Sequence, residues 1–247
     1  MAATVGMMSP EGASDRAALV AVPVWDGFVR AFHWALVVLF AAAVATGKAG
    51  GEWIVWHMRI GYAILALVLF RLLWGFAGGA YARYGSFLSG PVRALRFAVR
   101  LLSRAPAHVA GHNPIGGWMV VLLLLMLAAQ AVMGLFSNDE IATTGPLYRY
   151  VSEETSIQLM RWHRRVGDLL LLLTGIHIAA VLFHVFVKKE GIVSAMLSGR
   201  KALPAELARE ATEAVRRQPA RAGLGALLLS LSIAAVTLAV NWPALTR

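Results

Sequence analysis

The chain has 247 residues, 59% of them hydrophobic and 15% charged, with no cysteine and a formal net charge of +10. That balance excludes an ordinary soluble domain. The missing cysteines exclude disulfides, thiolate metal centres, iron–sulfur clusters and thioether-linked prosthetic groups.

The first 20 residues lack the basic start and apolar core of a cleaved signal peptide, and residues 1–21 are expected as a short disordered tail. Five apolar segments follow, at about 27–48, 53–76, 117–136, 166–187 and 222–242, each near the roughly 20 residues a bilayer core requires. Helices satisfy their own backbone groups in lipid, so the expected fold is an all-α integral membrane bundle. The short alternating segments of a membrane β-barrel are absent. Between the second and third segments lie Arg83, Arg93, Arg96, Arg100 and Arg104, with no acid among them. After the fourth come Lys188, Lys189, Arg200, Lys201, Arg209, Arg216, Arg217 and Arg221. The loop between the third and fourth balances its bases with Asp139, Glu140, Glu153 and Glu154. Charges so placed follow the positive-inside rule and argue against nucleic acid as the partner. They predict a cytoplasmic N-terminus and, after five crossings, a periplasmic C-terminus. "PAELAREATEAVRRQ", Pro204–Gln218, predicts an amphipathic cytoplasmic helix, read as a solvated linker within residues 203–221, before a fifth span and short outer tail in 222–247. His108 and His112, in the loop before the third span, are read as solvated.

The remaining histidines, His33, His57, His163, His177 and His184, fall in or beside spans. An imidazole in hydrocarbon needs partners for its nitrogens. His163 and His177 are separated by 14 residues. At about 100° and 1.5 Å per residue they share one helix face, about 21 Å apart. His57 begins the second span at the level of His163, because both helices run inward from the outer surface. His33, near the cytoplasmic start of the first span, has His177 as its candidate partner. Two bis-imidazole sites, one towards each surface, suit haem iron, which needs only two axial ligands from the protein. Zinc would want four ligands, and the spans hold too few acids. His184, seven residues beyond His177, keeps the same face about 10 Å nearer the cytoplasm. Counting inward from Arg30 and Lys188, it matches the depth of His33 better than His177 does, so both remain candidates.

Gly61 and Gly167 each follow a histidine by four residues, where a missing side chain leaves room for a flat ring. Ordinary small-residue packing is the alternative. Arg71 shares the His57 face about 21 Å deeper. A propionate would suit its guanidinium fork, and snorkelling to the inner surface is the alternative. Arg164 and Arg165 offer the same service to an outer haem. Asn113-Pro114 reads as a helix N-cap and N1 pair.

The segments "VWDGFVRAFHW" (24–34), "HMRIGYAILALVLFRLLWGFAG" (57–78), "GHNPIGGW" (111–118), "RWHRRVGDLLLLLTGIHIAAVLFHVF" (161–186) and "AMLSGRKA" (195–202) resemble the bacterial dihaem cytochromes b. These are the cytochrome b-561 proteins and the membrane subunits of nickel–iron hydrogenases and formate dehydrogenases. The resemblance covers roughly residues 22–202. It implies a four-helix transmembrane domain with two non-covalent haems b, here with a fifth helix outside that core. His33 and His177 would hold the cytoplasmic-side haem, and His57 and His163 the outer one.

The implied function is electron transfer across the bacterial inner membrane, between the quinone pool (ubiquinone or menaquinone) and a redox protein. That partner would be a c-type cytochrome, a hydrogenase or a dehydrogenase. The quinone is expected at the cytoplasmic edge, where "GHNPIGG" meets Arg71 and Asn113 could hydrogen-bond a quinone carbonyl. One alternative is a self-contained superoxide:quinone oxidoreductase, with Arg149, Arg161, Arg164 and Arg165 steering the anion. Another, of a different class, is a haem-free metal-ion or proton transporter built on intramembrane histidines.

Overall fold

The computed structural model describes residues 19–101 and 109–245. His108 and nearly all of the expected N-terminal tail lie outside them.

Helix α1 spans Gly27–Ala49, and its N-cap Asp26 accepts the Val29 N–H at 2.8 Å. The chain then reverses through Gly50 and Gly51, at φ 63° and 54°, a backbone region that favours glycine. A 3-10 turn, Gly51–Trp53, leads into α2, Ile54–Ala77. Short α3, Tyr84–Phe87, and α4, Pro91–Leu101, connect to α5, Pro114–Phe136. Asn113 caps α5 by accepting the Gly116 N–H at 2.7 Å, with Pro114 at the first position. Helix α6, Glu153–Phe186, starts at the Ser152 cap, well before its apolar stretch, so its polar first turns stand clear of the expected span. Then come α7, Ile192–Ser198, α8, Ala205–Arg217, and α9, Ala222–Leu245.

Among the described residues five helical segments are long and apolar enough to cross a membrane: Gly27–Ala49, Gly51–Ala77, Pro114–Phe136, Glu153–Phe186 and Ala222–Leu245. Helix α1 packs on α2, α2 on α5 and α5 on α6, while α9 lies against α2. Val29, Phe32, Phe70, Trp74 and Leu124 bury one apolar cluster, with Leu224 and Leu228 of α9 packed against it. A second, of Ala43, Ile64, Val68, Leu127 and Leu170, lies further along the bundle. Trp74 ties α2 to the start of α1 by donating its indole N–H to Asp26 at 3.2 Å. At the opposite end, Arg149 of the α5–α6 loop donates to the Pro243 carbonyl near the end of α9. Of eight tryptophans, Trp34 and Trp118 are exposed near one end of the bundle and Trp53, Trp56, Trp162 and Trp242 near the other. Tryptophan favours the two headgroup levels of a bilayer.

Two expectations need correction. Val20 and Ala21, expected at the end of the tail, belong instead to strand β1, Val20–Pro23, antiparallel to β2, Arg200–Leu203, with Val20 opposite Leu203 and Pro23 opposite Arg200. Nor is α8 a solvated linker. Its Ala208 and Ala211 are buried with Val22, Val24 and Leu203, because its small-residue face covers the strand pair. The Gly199 carbonyl accepts the N–H groups of Val24 and Trp25 at 2.8 and 3.1 Å, which fastens this cap to the start of α1.

Candidate functional site

His57 on α2 and His163 on α6 face each other with ring centroids 6.0 Å apart. Each is held in the same way by a neighbouring helix. His57 Nδ1 lies 2.8 Å from the Ala43 carbonyl on α1, and His163 Nδ1 lies 2.9 Å from the Gln130 carbonyl on α5. A carbonyl can only accept, so each Nδ1 carries the proton and each Nε2 keeps a lone pair for a metal. A helical side chain covers the turn N-terminal to its own position. Glycine four residues after each carbonyl therefore uncovers it. At Gly47 a Cβ would stand 2.8 Å from His57 Nδ1, and at Gly134 it would stand 3.2 Å from His163 Cε1.

The 6.0 Å spacing fits one metal between the rings. Two metal–nitrogen bonds of about 2.0 Å, with each ring centre about 1.1 Å beyond its nitrogen for ring bonds near 1.35 Å, give about 6.2 Å. Beside the pair is a cavity of about 400 Å³ between α1, α2, α5 and α6, lined by Phe40, Gly61, Ile64, Leu127, Gly167 and Leu170 among others. Gly61 opens onto it with no protein atom within 4 Å of a would-be Cβ; at Gly167 the nearest such atom is Gln130 Nε2 at 3.3 Å. Among the described residues no group of three or more His, Cys, Asp or Glu could hold a bare metal ion. Two imidazoles beside an apolar cavity suit a metal that brings its own equatorial ligands. Lys48, Arg164, Asp139 and Asp168 line the polar edge. The Thr143 backbone N–H, followed by those of Ile141 and Ala142, holds the Asp139 carboxyl below its usual range. Arg165 instead lies over the Trp162 ring, 5.3 Å from its centroid.

The second group of residues lies nearer the strand pair. Arg71 is only 2% exposed, which rules out snorkelling to the surface. Its guanidinium lies 5.6 Å from the centre of the Tyr84 ring, and its Nη1 is buried with no hydrogen-bond partner. Tyr84 reaches that position because Gly75 leaves space for it: a Cβ there would stand 2.1 Å from the ring. Burial raises the Tyr84 phenol above its ordinary pKa, and Arg71 opposes the rise.

His112 is not the solvated loop residue the sequence suggests. Its ring is flanked by Trp25 at 4.6 Å and Phe87 at 4.8 Å, and its Nδ1 is buried and unpartnered. Trp25, just before α1, and Phe87, at the end of α3, draw it out of water. Burial pushes its pKa down to about 3, with Arg71, Lys201, His177 and His33 each adding a push in the same direction. It is therefore neutral at physiological pH, and those four residues share its electrostatic neighbourhood. Burial also lowers the Lys201 pKa, against Glu190, and its ammonium donates to the Val109 carbonyl at 2.7 Å. Arg30 Nε and His33 Nδ1 are likewise buried without partners. Orphaned buried donors are rare in native proteins, and a carboxylate-bearing group would satisfy Arg71 and Arg30. His184 is buried too, but its Nδ1 lies 3.3 Å from a Glu190 carboxylate oxygen.

The family model for prokaryotic cytochrome b561 matches residues 24–199. The chain belongs to that family. No curated protein and no solved structure matches it. A cytochrome of this family is a bacterial multi-pass membrane protein that carries electrons on b-type haem, so the haem-free transporter reading falls. The five apolar helices of this cytochrome meet the lipid bilayer.

Sequence reasoning missed Gly47, Gly134 and the two histidine-binding carbonyls. Gln130 carried a signal, as a polar residue inside the apolar run of α5. Gly134 follows it by the four residues that matter.

Proposed function

We propose that the cytochrome holds two haems b and passes electrons through them between membrane quinone and a redox protein outside. The observation that carries this reading is the His57–His163 pair: 6.0 Å between rings, both Nδ1 atoms on helix carbonyls, beside a cavity of about 400 Å³. His57 and His163 would hold the iron of the outer haem. His33 and His177 hold the cytoplasmic-side haem. This second pairing is supported by their shared action on His112 and by Glu190 engaging the rival His184. Bound haem supplies a one-electron ferric/ferrous couple.

The chain's own residues set the conditions for that couple. The Ala43 and Gln130 carbonyls fix the tautomer and orientation of the outer ligands and make them more basic. Gly61 and Gly167 leave the ring its space, and Leu127, Leu170 and Ile64 keep water out. Arg71 binds a propionate of the cytoplasmic-side haem and balances its charge in a low-dielectric setting. Along α6 the two sites are about 21 Å apart, so the electron crosses the bilayer in steps.

The N-terminus is cytoplasmic and the C-terminus periplasmic, in the inner membrane. A cytochrome domain of about 22–202 is flanked by the α8 cap and the fifth span. Ubiquinone or menaquinone docks at the cytoplasmic edge near Asn113, Arg71 and neutral His112. Asn113 Oδ1 is already used by its cap, so among the described residues its amide N–H is the group left to donate. The outer partner is a c-type cytochrome, a hydrogenase or a dehydrogenase. Proteoliposomes enclosing an impermeant oxidant test the reading: added quinol should reduce it only across membranes containing the cytochrome. His57→Ala and His33→Ala should each abolish transfer. Transfer at full rate in either variant would refute the relay.

A further inference from the structure

We propose that α4, Pro91–Leu101, lies in the headgroup layer of the bilayer and binds anionic phospholipid there. At about 100° per residue its positions divide into three faces. Ala94 and Phe97 are half-buried and face the protein, where α4 packs on α5. Val92, Leu95 and Val99 form a second stripe, 61%, 69% and 66% exposed. Arg93 and Arg96 occupy the third sector, exposed to solvent. A helix in water would not show a continuous apolar stripe at i, i+3 and i+7. A helix lying in a membrane surface needs one face in the acyl region and a basic face among the headgroups.

Two independent observations set its level and its ligand. The Trp118 indole N–H donates at 3.0 Å to the carbonyl of Ser89, just before α4. Trp118 is 45% exposed at the start of a membrane helix, the position tryptophan takes at the headgroup level. The charge is one-sided: no acid occurs between Glu52 and Asp139. Among the described residues neither Arg93 nor Arg96 joins an ion pair. The positive-inside tendency alone would explain basic residues in this loop. It does not explain arginines confined to one helical face beside an exposed apolar stripe. The phosphodiester of an anionic lipid matches the guanidinium groups while its acyl chains cover Val92, Leu95 and Val99.

The absence of cysteine makes the test direct. The full-length cytochrome with Leu95→Cys is spin-labelled and placed in nanodiscs of phosphatidylcholine with one part phosphatidylglycerol. The label should be reached by oxygen and shielded from an aqueous nickel chelate. Native mass spectrometry should show phosphatidylglycerol retained over phosphatidylcholine. The double change Arg93→Gln/Arg96→Gln should reduce that preference by about 25-fold, at about five-fold per arginine, with the haem spectrum unchanged. A Leu95 label open to the nickel chelate would overturn the placement. Equal phosphatidylglycerol retention by parent and double variant would overturn the headgroup binding.

Discussion

Gly61→Leu places four carbons in the cavity beside the facing histidines. Gly61 is one turn beyond His57, lines the cavity of about 400 Å³, and has no protein atom within 4 Å of a would-be Cβ. If a haem occupies that space, the leucine must displace it. Forced overpacking costs about 1–3 kcal/mol, equal to a loss of about 5- to 150-fold in haem affinity. The helix itself gains up to about 0.8 kcal/mol from replacing an interior glycine, so haem should be lost while helicity is kept. Gly175→Leu is the control. Gly175 also has nothing within 4 Å of its Cβ position, but it is exposed and lies about 200° around α6 from His177. It should keep every haem. Haem per protein, potentiometric titration and circular dichroism of the purified variants decide the matter. Unchanged haem content and midpoints in Gly61→Leu would refute the assignment of this cavity to a porphyrin.

His57→Ala and His163→Ala should each remove the same potential component, and His33→Ala and His177→Ala the other. Loss of a haem in His184→Ala, but not in His177→Ala, would reverse the inner assignment. Arg71→Leu should lower the midpoint of one haem, because losing a nearby positive charge disfavours the electron-rich ferrous state; about 1.4 kcal/mol corresponds to roughly 59 mV for one electron. Arg71→Lys should keep part of the effect, and unshifted midpoints with full haem content would exclude the propionate pairing. Gly47→Ala should weaken the outer haem more than Gly134→Ala does, since their Cβ atoms would meet the histidines at 2.8 and 3.2 Å; haem titration of the two apo-proteins ranks them. Burial holds His112 near 3 against an ordinary 6.5. The unfolded chain therefore binds the extra proton between those values, and stability falls as pH drops from 6.5 towards 3, by up to about 1.4 kcal/mol per pH unit. His112→Phe should flatten that part of the curve, as read by thermal unfolding at graded pH.

The five spans were legible because hydrocarbon leaves the backbone few choices and length alone marks a crossing. His57 and His163 were legible as a pair because helix geometry converts sequence spacing into depth. The Asn113 and Ser152 caps obey local rules, and Asn113 could be read directly. What escaped depends on contacts between distant segments. The pairing of β1 with β2 joins Val20 to Leu203 across the whole cytochrome, and two four-residue strands leave no periodic signal. His112 looks like a loop residue because nothing local says that Trp25 and Phe87 will enclose it. Arg71 lies near the end of α2, where snorkelling is ordinary; only the packing of Tyr84 over Gly75 keeps it inside. His184 matched the depth of His33 by residue counting, and Glu190 beyond the helix end supplied the competing partner.

The central claim is that one chain holds two b haems on two histidine pairs. Pyridine haemochromogen absorbance against protein mass tests it most directly, on the full-length cytochrome purified from membranes with haem in excess. The account predicts about two haems per chain, falling to about one in His57→Ala and in His33→Ala. A ratio near one in the unsubstituted cytochrome would contradict it.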